Sequence, residues 1–239
     1  HASFRDASVI TTPRLTSHTL SAALHSKWLL LVGDSSVRML FEFLVGVLAL
    51  DWRHWPSHID NHGLMDSRVL TPSKFLCKTP IRHANRSCLK DTFVNGTRIT
   101  YLWLDTAEEE QWRALDALEL STLAAPNAIL ASFGAWDAFL AGRRPDVKGY
   151  RLRVGRTLSR LDAMFQPNAS FFGPLWTSPK KVFAALPTCA SRDPKLLFHN
   201  ALRLNPIAEA VVCERPGWTW FARDTLTVRP CHKADCLHG

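Results

Sequence analysis

The chain has 239 residues, 46% of them apolar and 21% charged, which suits one soluble globular domain and excludes a disordered or fibrous chain. Its most apolar run, residues 28 to 50, is interrupted by Asp34, Arg38 and Glu42 and does not read as a membrane span, so any membrane tether is expected outside these residues. The net charge of +8 permits anionic partners, but the basic residues are scattered and do not interleave with aromatics, so no nucleic-acid partner is expected.

The chain begins at His1 without a Met and reads as a mature form or an excised piece. Residues 1 to 26 are polar and Ser/Thr-rich and read as an irregular lead-in; residues 27 to 239 read as one domain. Lys27 to Val32 is a short apolar run closed by Gly33-Asp34-Ser35, which predicts a buried strand entering a turn. Apolar residues at Val37, Leu40, Phe41, Leu44, Val47 and Leu48 then follow a helical period. Residues 51 to 90 are rich in His, Pro and Ser without a period and read as a loop-rich insertion. Asp91 to Leu104 predicts a hairpin turning at Asn95-Gly96, with Arg98 to Leu104 as a core strand.

Thr106 resembles an N-cap before Glu108-Glu109-Glu110, opening a helix that ends near Ala125-Pro126. Ala128 to Phe133 predicts another buried strand, ending at Gly134. Asp146 to Phe165 predicts a basic helix, Ala169 to Leu175 a strand, Leu196 to Cys213 a helix, and Trp218 to Ala222 a last strand. Strands alternating with helices imply an α/β fold with a central parallel sheet of about five strands, helices on both faces, and sites at the carboxyl ends of the strands.

Chemistry concentrates at such ends. Ser35 sits between the first strand and the first helix, where amide N–H groups and the helix dipole favour developing negative charge; an N-cap would also suit a Ser there. Asp235 and His238, three residues apart near the other end of the chain, can share one side of a turn. An imidazole so held takes a serine proton and returns it to a leaving group. Asp51 and His54 have the same spacing, but the intervening helix would carry His54 about 20 Å from Ser35.

Gly33-Asp34-Ser35-Ser-Val-Arg38 near the start, with Asp235-Cys-Leu-His238 at the end, resembles the PC-esterase branch of the SGNH/GDSL hydrolases over about residues 27 to 239. That branch includes trichome-birefringence-like polysaccharide O-acetyltransferases and the sialic-acid O-acetyltransferase domain. The resemblance implies a three-layer α/β/α flavodoxin-like fold and a serine esterase or O-acetyltransferase with a Ser35, Asp235 and His238 triad. It implies a carbohydrate or other acylated small molecule as substrate, and no cofactor. Arg38 matches the arginine that follows the family's GDS; its plainer reading is a helix-surface residue paired with Glu42. The oxyanion donors expected are the Ser35 N–H and the Gly134 N–H. The segment Gly134-Ala135-Trp136-Asp137 departs from the family, which has an Asn there.

Six cysteines (Cys77, Cys88, Cys189, Cys213, Cys231, Cys236) accompany sequons at Asn85, Asn95 and Asn168, which together point to a glycoprotein of the secretory pathway, in the Golgi lumen or outside the cell. Cys77 with Cys88, and Cys236 with another late cysteine such as Cys231, are the disulfide candidates. Cys231, His232, Cys236 and His238 are zinc-ligand types, but they crowd too closely to form a tetrahedron alone, so no metal is expected. Trp52, Trp55, Trp136 and Trp176 suit sugar stacking, which keeps open an inactive carbohydrate-binding relative of the same fold.

Overall fold

In the computed structural model, the described residues are 16–49, 89–104, 125–140, 145–165, 178–186 and 197–222. The chain order among them is α1 (Ser17–Leu24), β1 (Trp28–Gly33), α2 (Ser35–Ala49), β2 (Leu89–Val94), β3 (Thr97–Trp103), β4 (Ala128–Ser132), α3 (Ala135–Leu140), α4 (Val147–Met164), β5 (Lys180–Ala184), α5 (Leu197–Cys213) and β6 (Trp218–Phe221).

The run Trp28–Gly33 has no polar face because both sides of this strand are covered, as in a sheet sandwiched by helices. Leu30 and Val32 point into one core, while Leu31 points into the other with Leu29 packed against it. β4 divides its residues the same way: Ile129 and Ala131 on the first side, Leu130 against the second. The strand order is β2-β3-β1-β4-β5-β6. All neighbouring pairs are parallel except β2 with β3, which form an antiparallel edge hairpin.

One face of the sheet is covered by α2, whose Val37, Phe41, Val45 and Leu48 recur at helical spacing and meet Ile99, Tyr101 and Trp103 of β3. The other face is covered by α3, α4 and α5. Tyr150, Val154, Leu158 and Leu161 form the buried stripe of α4, and Leu204, Ala208 and Val212 form that of α5. The architecture is the three-layer α/β/α arrangement expected, with six strands where about five were expected because β2 adds its antiparallel edge.

Some local features differ from the sequence reading or extend it. Residues 17–24, inside the supposed irregular lead-in, form a helix opened by a capping box between Thr16 and Thr19. The short helix α3 follows β4 directly, where no element was expected. Lys180–Ala184 is a strand that was not expected; its first residue is exposed at the sheet margin, and the Lys181 ammonium lies 2.5 Å from Asp162 on α4. The strand expected at Ala169 to Leu175, the helix expected after Thr106 and residues 51 to 88 of the insertion expected over 51 to 90 fall outside the described residues; the last two residues of that insertion, Leu89 and Lys90, instead open strand β2, because they pair with Leu102 and Tyr101 of β3.

The hairpin turn carries out its expected geometry. Asn95 and Gly96 both take positive φ, 45° and 75°, as a two-residue turn requires. The Asn95 side-chain amide donates to the Leu48 carbonyl, and the Thr97 hydroxyl donates to the Leu24 carbonyl at 3.0 Å. Both sequon residues therefore tie the turn to α2 and α1. Cys213, at the end of α5, is an exposed free thiol; the other five cysteines lie outside the described residues.

Candidate active site

From β1 the sheet grows first to one side, through β3, and then to the other, through β4, so the carboxyl ends of β1 and β4 flank the point where strand order reverses. Ligands of open α/β sheets bind outside such points. Gly33 and Ser132 are register partners there. The approach is close: a Cβ on Gly33 would lie 1.9 Å from the Ser132 carbonyl oxygen, so only glycine fits.

Asp34 follows, fully buried. Its backbone carbonyl accepts the Arg38 N–H at 3.0 Å, closing the first turn of α2. Its carboxylate accepts the Ser36 N–H at 3.1 Å and the Ser36 hydroxyl at 3.0 Å. Asp34 is thus the N-cap of α2, and Ser35 is the first helical residue. The other carboxylate oxygen accepts the Ala135 N–H at 3.1 Å, reaching across to the turn after β4. One buried carboxylate therefore fastens the turn that carries Ser35 to the turn that carries Gly134. The amides it is seen to take, those of Ser36 and Ala135, lie one residue beyond the two expected oxyanion donors, Ser35 and Gly134.

The first turn is also held from the α2 side of the sheet. The Tyr101 hydroxyl lies 3.2 Å from both the Gly33 and the Asp34 carbonyl oxygens and donates to them. Tyr101 itself is wedged between the rings of Phe41 and Trp103. The second turn is held from the opposite side. Gly134 is buried with φ +121°, and a Cβ there would lie 2.6 Å from the Tyr150 ring. The Tyr150 hydroxyl donates to the Phe133 carbonyl at 3.0 Å. Burial raises the Tyr150 pKa well above the ordinary tyrosine range, with the Asp137 and Asp34 charges adding to the shift. Asp137, in the first turn of α3, pairs with Arg153 of α4, and burial outweighs that partner to hold its carboxyl above the usual range.

Arg38, one turn beyond Ser35, has its Nε 3.7 Å from Glu42, and the Lys90 ammonium lies 3.6 Å from the same carboxylate oxygen. The pairing with Glu42 is the one the spacing suggested, but it does not lie on the helix surface: Glu42 is buried and the Arg38 side chain is only 11% exposed. Asp235 and His238 lie outside the described residues, as do Asp51 and His54, so the structure brings together the Ser35 and Gly134 turns and leaves the rest of the expected triad undescribed. Among the described residues, no group of three or more His, Cys, Asp or Glu could hold a metal ion; Cys231, His232, Cys236 and His238 lie outside them.

Sequence reasoning missed the double role of Asp34. An Asp before a helix signals a cap, but its second partner is in a turn 101 positions away, which no local pattern reveals. It also missed Tyr150, which the reading of residues 146 to 165 as a basic helix did not single out.

No protein-family model matches the chain, and no curated protein matches it. Among solved structures the chain is similar to a lipase/acylhydrolase from Enterococcus faecalis, at 15% identity and a TM-score of 0.44, over 89% of this chain and 86% of that one. At that likeness nothing about the reaction passes from one chain to the other.

Proposed function

We propose that the chain is a serine acyl-esterase or O-acyltransferase that works through an acyl-serine at Ser35. The observation that supports it best is the position of Ser35: first residue of a helix, at the carboxyl end of β1, beside the reversal of strand order, in a turn fastened by Asp34 to the Gly134 turn. That position suits a nucleophile, because the helix N-terminus stabilises an oxyanion formed there.

In this proposal His238, oriented by Asp235, takes the Ser35 proton as the hydroxyl oxygen attacks the acyl carbonyl carbon. The carbonyl oxygen becomes an oxyanion, to which the Ser35 and Gly134 N–H groups donate; such a donor lowers the barrier by about 3 kcal/mol. Collapse of the tetrahedral species breaks the ester bond, and His238 gives its proton to the departing alcohol. Water or a sugar hydroxyl then attacks the acyl-serine, with His238 again removing the proton. Carbohydrate O-acetyl groups and a secretory setting belong to the same proposal, on the resemblance of the two terminal motifs.

A purified-protein assay with an activated acetyl ester, with and without oligosaccharide acceptors, tests this reading. Release of acetate that depends on Ser35 supports an esterase, and transfer of acetyl to the acceptor supports a transferase. Carbohydrate binding with no turnover in either format refutes the enzyme and leaves the inactive binding relative.

A further inference from the structure

Each expected oxyanion donor belongs to a peptide whose carbonyl lies on the preceding residue. The Ser35 N–H shares its peptide with the Asp34 carbonyl, and the Gly134 N–H with the Phe133 carbonyl. No peptide bond among the described residues is cis, so each of these N–H groups points away from the carbonyl of its own peptide. A contact that fixes the carbonyl therefore aims the N–H.

Two hydroxyls hold these carbonyls. That of Tyr150, on α4, donates to the Phe133 carbonyl at 3.0 Å. That of Tyr101, on β3, lies 3.2 Å from the Asp34 carbonyl oxygen and 3.2 Å from that of Gly33. The chain has 2 tyrosines in all, so every tyrosine it carries backs one of the two turns. They come from opposite faces of the sheet, Tyr101 in the core under α2 and Tyr150 in the core under α3, α4 and α5. Both side chains are buried, where phenylalanine would fill the same apolar space and a hydroxyl is tolerated only when bonded. Burial and the Asp137 and Asp34 charges keep the Tyr150 phenol protonated, so it stays a donor.

We infer that Tyr150 and Tyr101 are positioning residues of the oxyanion hole, each aiming one backbone N–H at the acyl oxygen through the carbonyl of the same peptide. A hydrogen bond to that carbonyl also polarises the peptide and strengthens its N–H as a donor. Neither tyrosine needs to touch the substrate. Their weights differ. The Tyr150 hydroxyl is directed at one carbonyl. Tyr101 divides its single hydroxyl hydrogen between two, and the Asp34 carbonyl is held independently by the Arg38 N–H at 3.0 Å. Tyr150 therefore has the larger effect. The inference rests on the reading of Ser35 as the acyl-carrying nucleophile.

Tyr150→Phe and Tyr101→Phe, made separately, test it by steady-state hydrolysis of an activated acetyl ester. Each removes one oxygen and leaves the ring in place. The value of kcat should fall about tenfold in Tyr150→Phe and about fivefold in Tyr101→Phe, with KM within about twofold of the parent, because the donors act on the oxyanion more than on the ground-state carbonyl. A trifluoromethyl ketone, whose carbonyl carbon takes the Ser35 oxygen and whose carbonyl oxygen becomes an oxyanion, should lose affinity by the same factors as kcat/KM. Asp162→Ala, about 18 Å further along α4 than Tyr150, should keep kcat within about twofold. A kcat within about twofold of the parent in either folded tyrosine variant, a loss carried by KM alone, or an equal loss in Asp162→Ala would overturn the inference. Selective ¹⁵N-glycine labelling reads the aim without turnover: the chain has 11 glycines, and the Gly134 resonance should move in Tyr150→Phe as the bond to its peptide carbonyl is lost. A Gly134 resonance that stays in place would also overturn it. No turnover and no ketone adduct in the parent chain would instead overturn the reading of Ser35 on which the inference rests.

Discussion

Replacing Asp34 by Asn keeps the size of the side chain and removes half of its accepting capacity. The carboxylate accepts two buried backbone N–H groups, those of Ser36 and Ala135, one on each oxygen, together with the Ser36 hydroxyl. Asn has one carbonyl oxygen, so in either orientation its NH₂ faces one of those amide hydrogens. One charge-assisted bond is lost and one buried donor is left without an acceptor, a cost of about 2–3 kcal/mol. Asp34→Ala leaves both donors orphaned and should cost about 3–5 kcal/mol. Urea unfolding of the purified variants measures this directly, with an unchanged m-value as the check that the native and unfolded states stay comparable. The Asn variant should also lose acyl transfer at temperatures where it remains folded, because the two turns are no longer fastened together. A stability change for Asp34→Asn under about 0.5 kcal/mol, the range of a neutral surface substitution, would refute the bridge.

Other expectations follow from the same frame. Gly33→Ala should part β1 from β4, since its Cβ would lie 1.9 Å from the Ser132 carbonyl oxygen; the loss should be about 3 kcal/mol or more in chemical unfolding. Gly134→Ala meets both a φ of +121° and the Tyr150 ring and should cost about 2–4 kcal/mol, only part of which Tyr150→Phe in the same chain should restore. Tyr150 has a raised folded pKa, so its contribution to stability is complete below the unfolded value near 10 and is lost as pH rises above it, at about 1.4 kcal/mol per pH unit. Absorbance at alkaline pH should therefore show Tyr150 ionising together with unfolding, and an earlier separate titration would contradict its burial. Asp162→Ala removes the shared partner of Lys181, Arg215 and the Trp218 indole and should lower stability by about 2 kcal/mol, read from thermal unfolding.

Much of this fold could be read from periodicity. The apolar run of β1, the i, i+4 stripe of α2 and the Asn95-Gly96 turn each carry a local signal strong enough to survive in the folded chain. α4 was equally clear, because Asp146 caps it and its buried stripe is regular. The strand β5 escaped because Lys180 and Lys181 look like surface residues, and only the long-range contact with Asp162 makes a lysine there compatible with a core strand. The six-residue α3 is too short for a periodic pattern. At the site, the Gly33-Asp34-Ser35 turn was legible from its placement between a strand and a helix. The fastening of that turn to Gly134 was not, because it joins residues brought together only by the pairing of β1 with β4.

The central claim is that Ser35 is a nucleophile activated by a distant histidine. A fluorophosphonate probe, followed by peptide mapping in the mass spectrometer, addresses it most directly. The account predicts one phosphonylated residue, Ser35, with labelling abolished in Ser35→Ala and slowed by about a thousandfold in His238→Ala, since loss of the base removes most of the nucleophile's activation. Labelling of another serine, or of none in the folded chain, would contradict it.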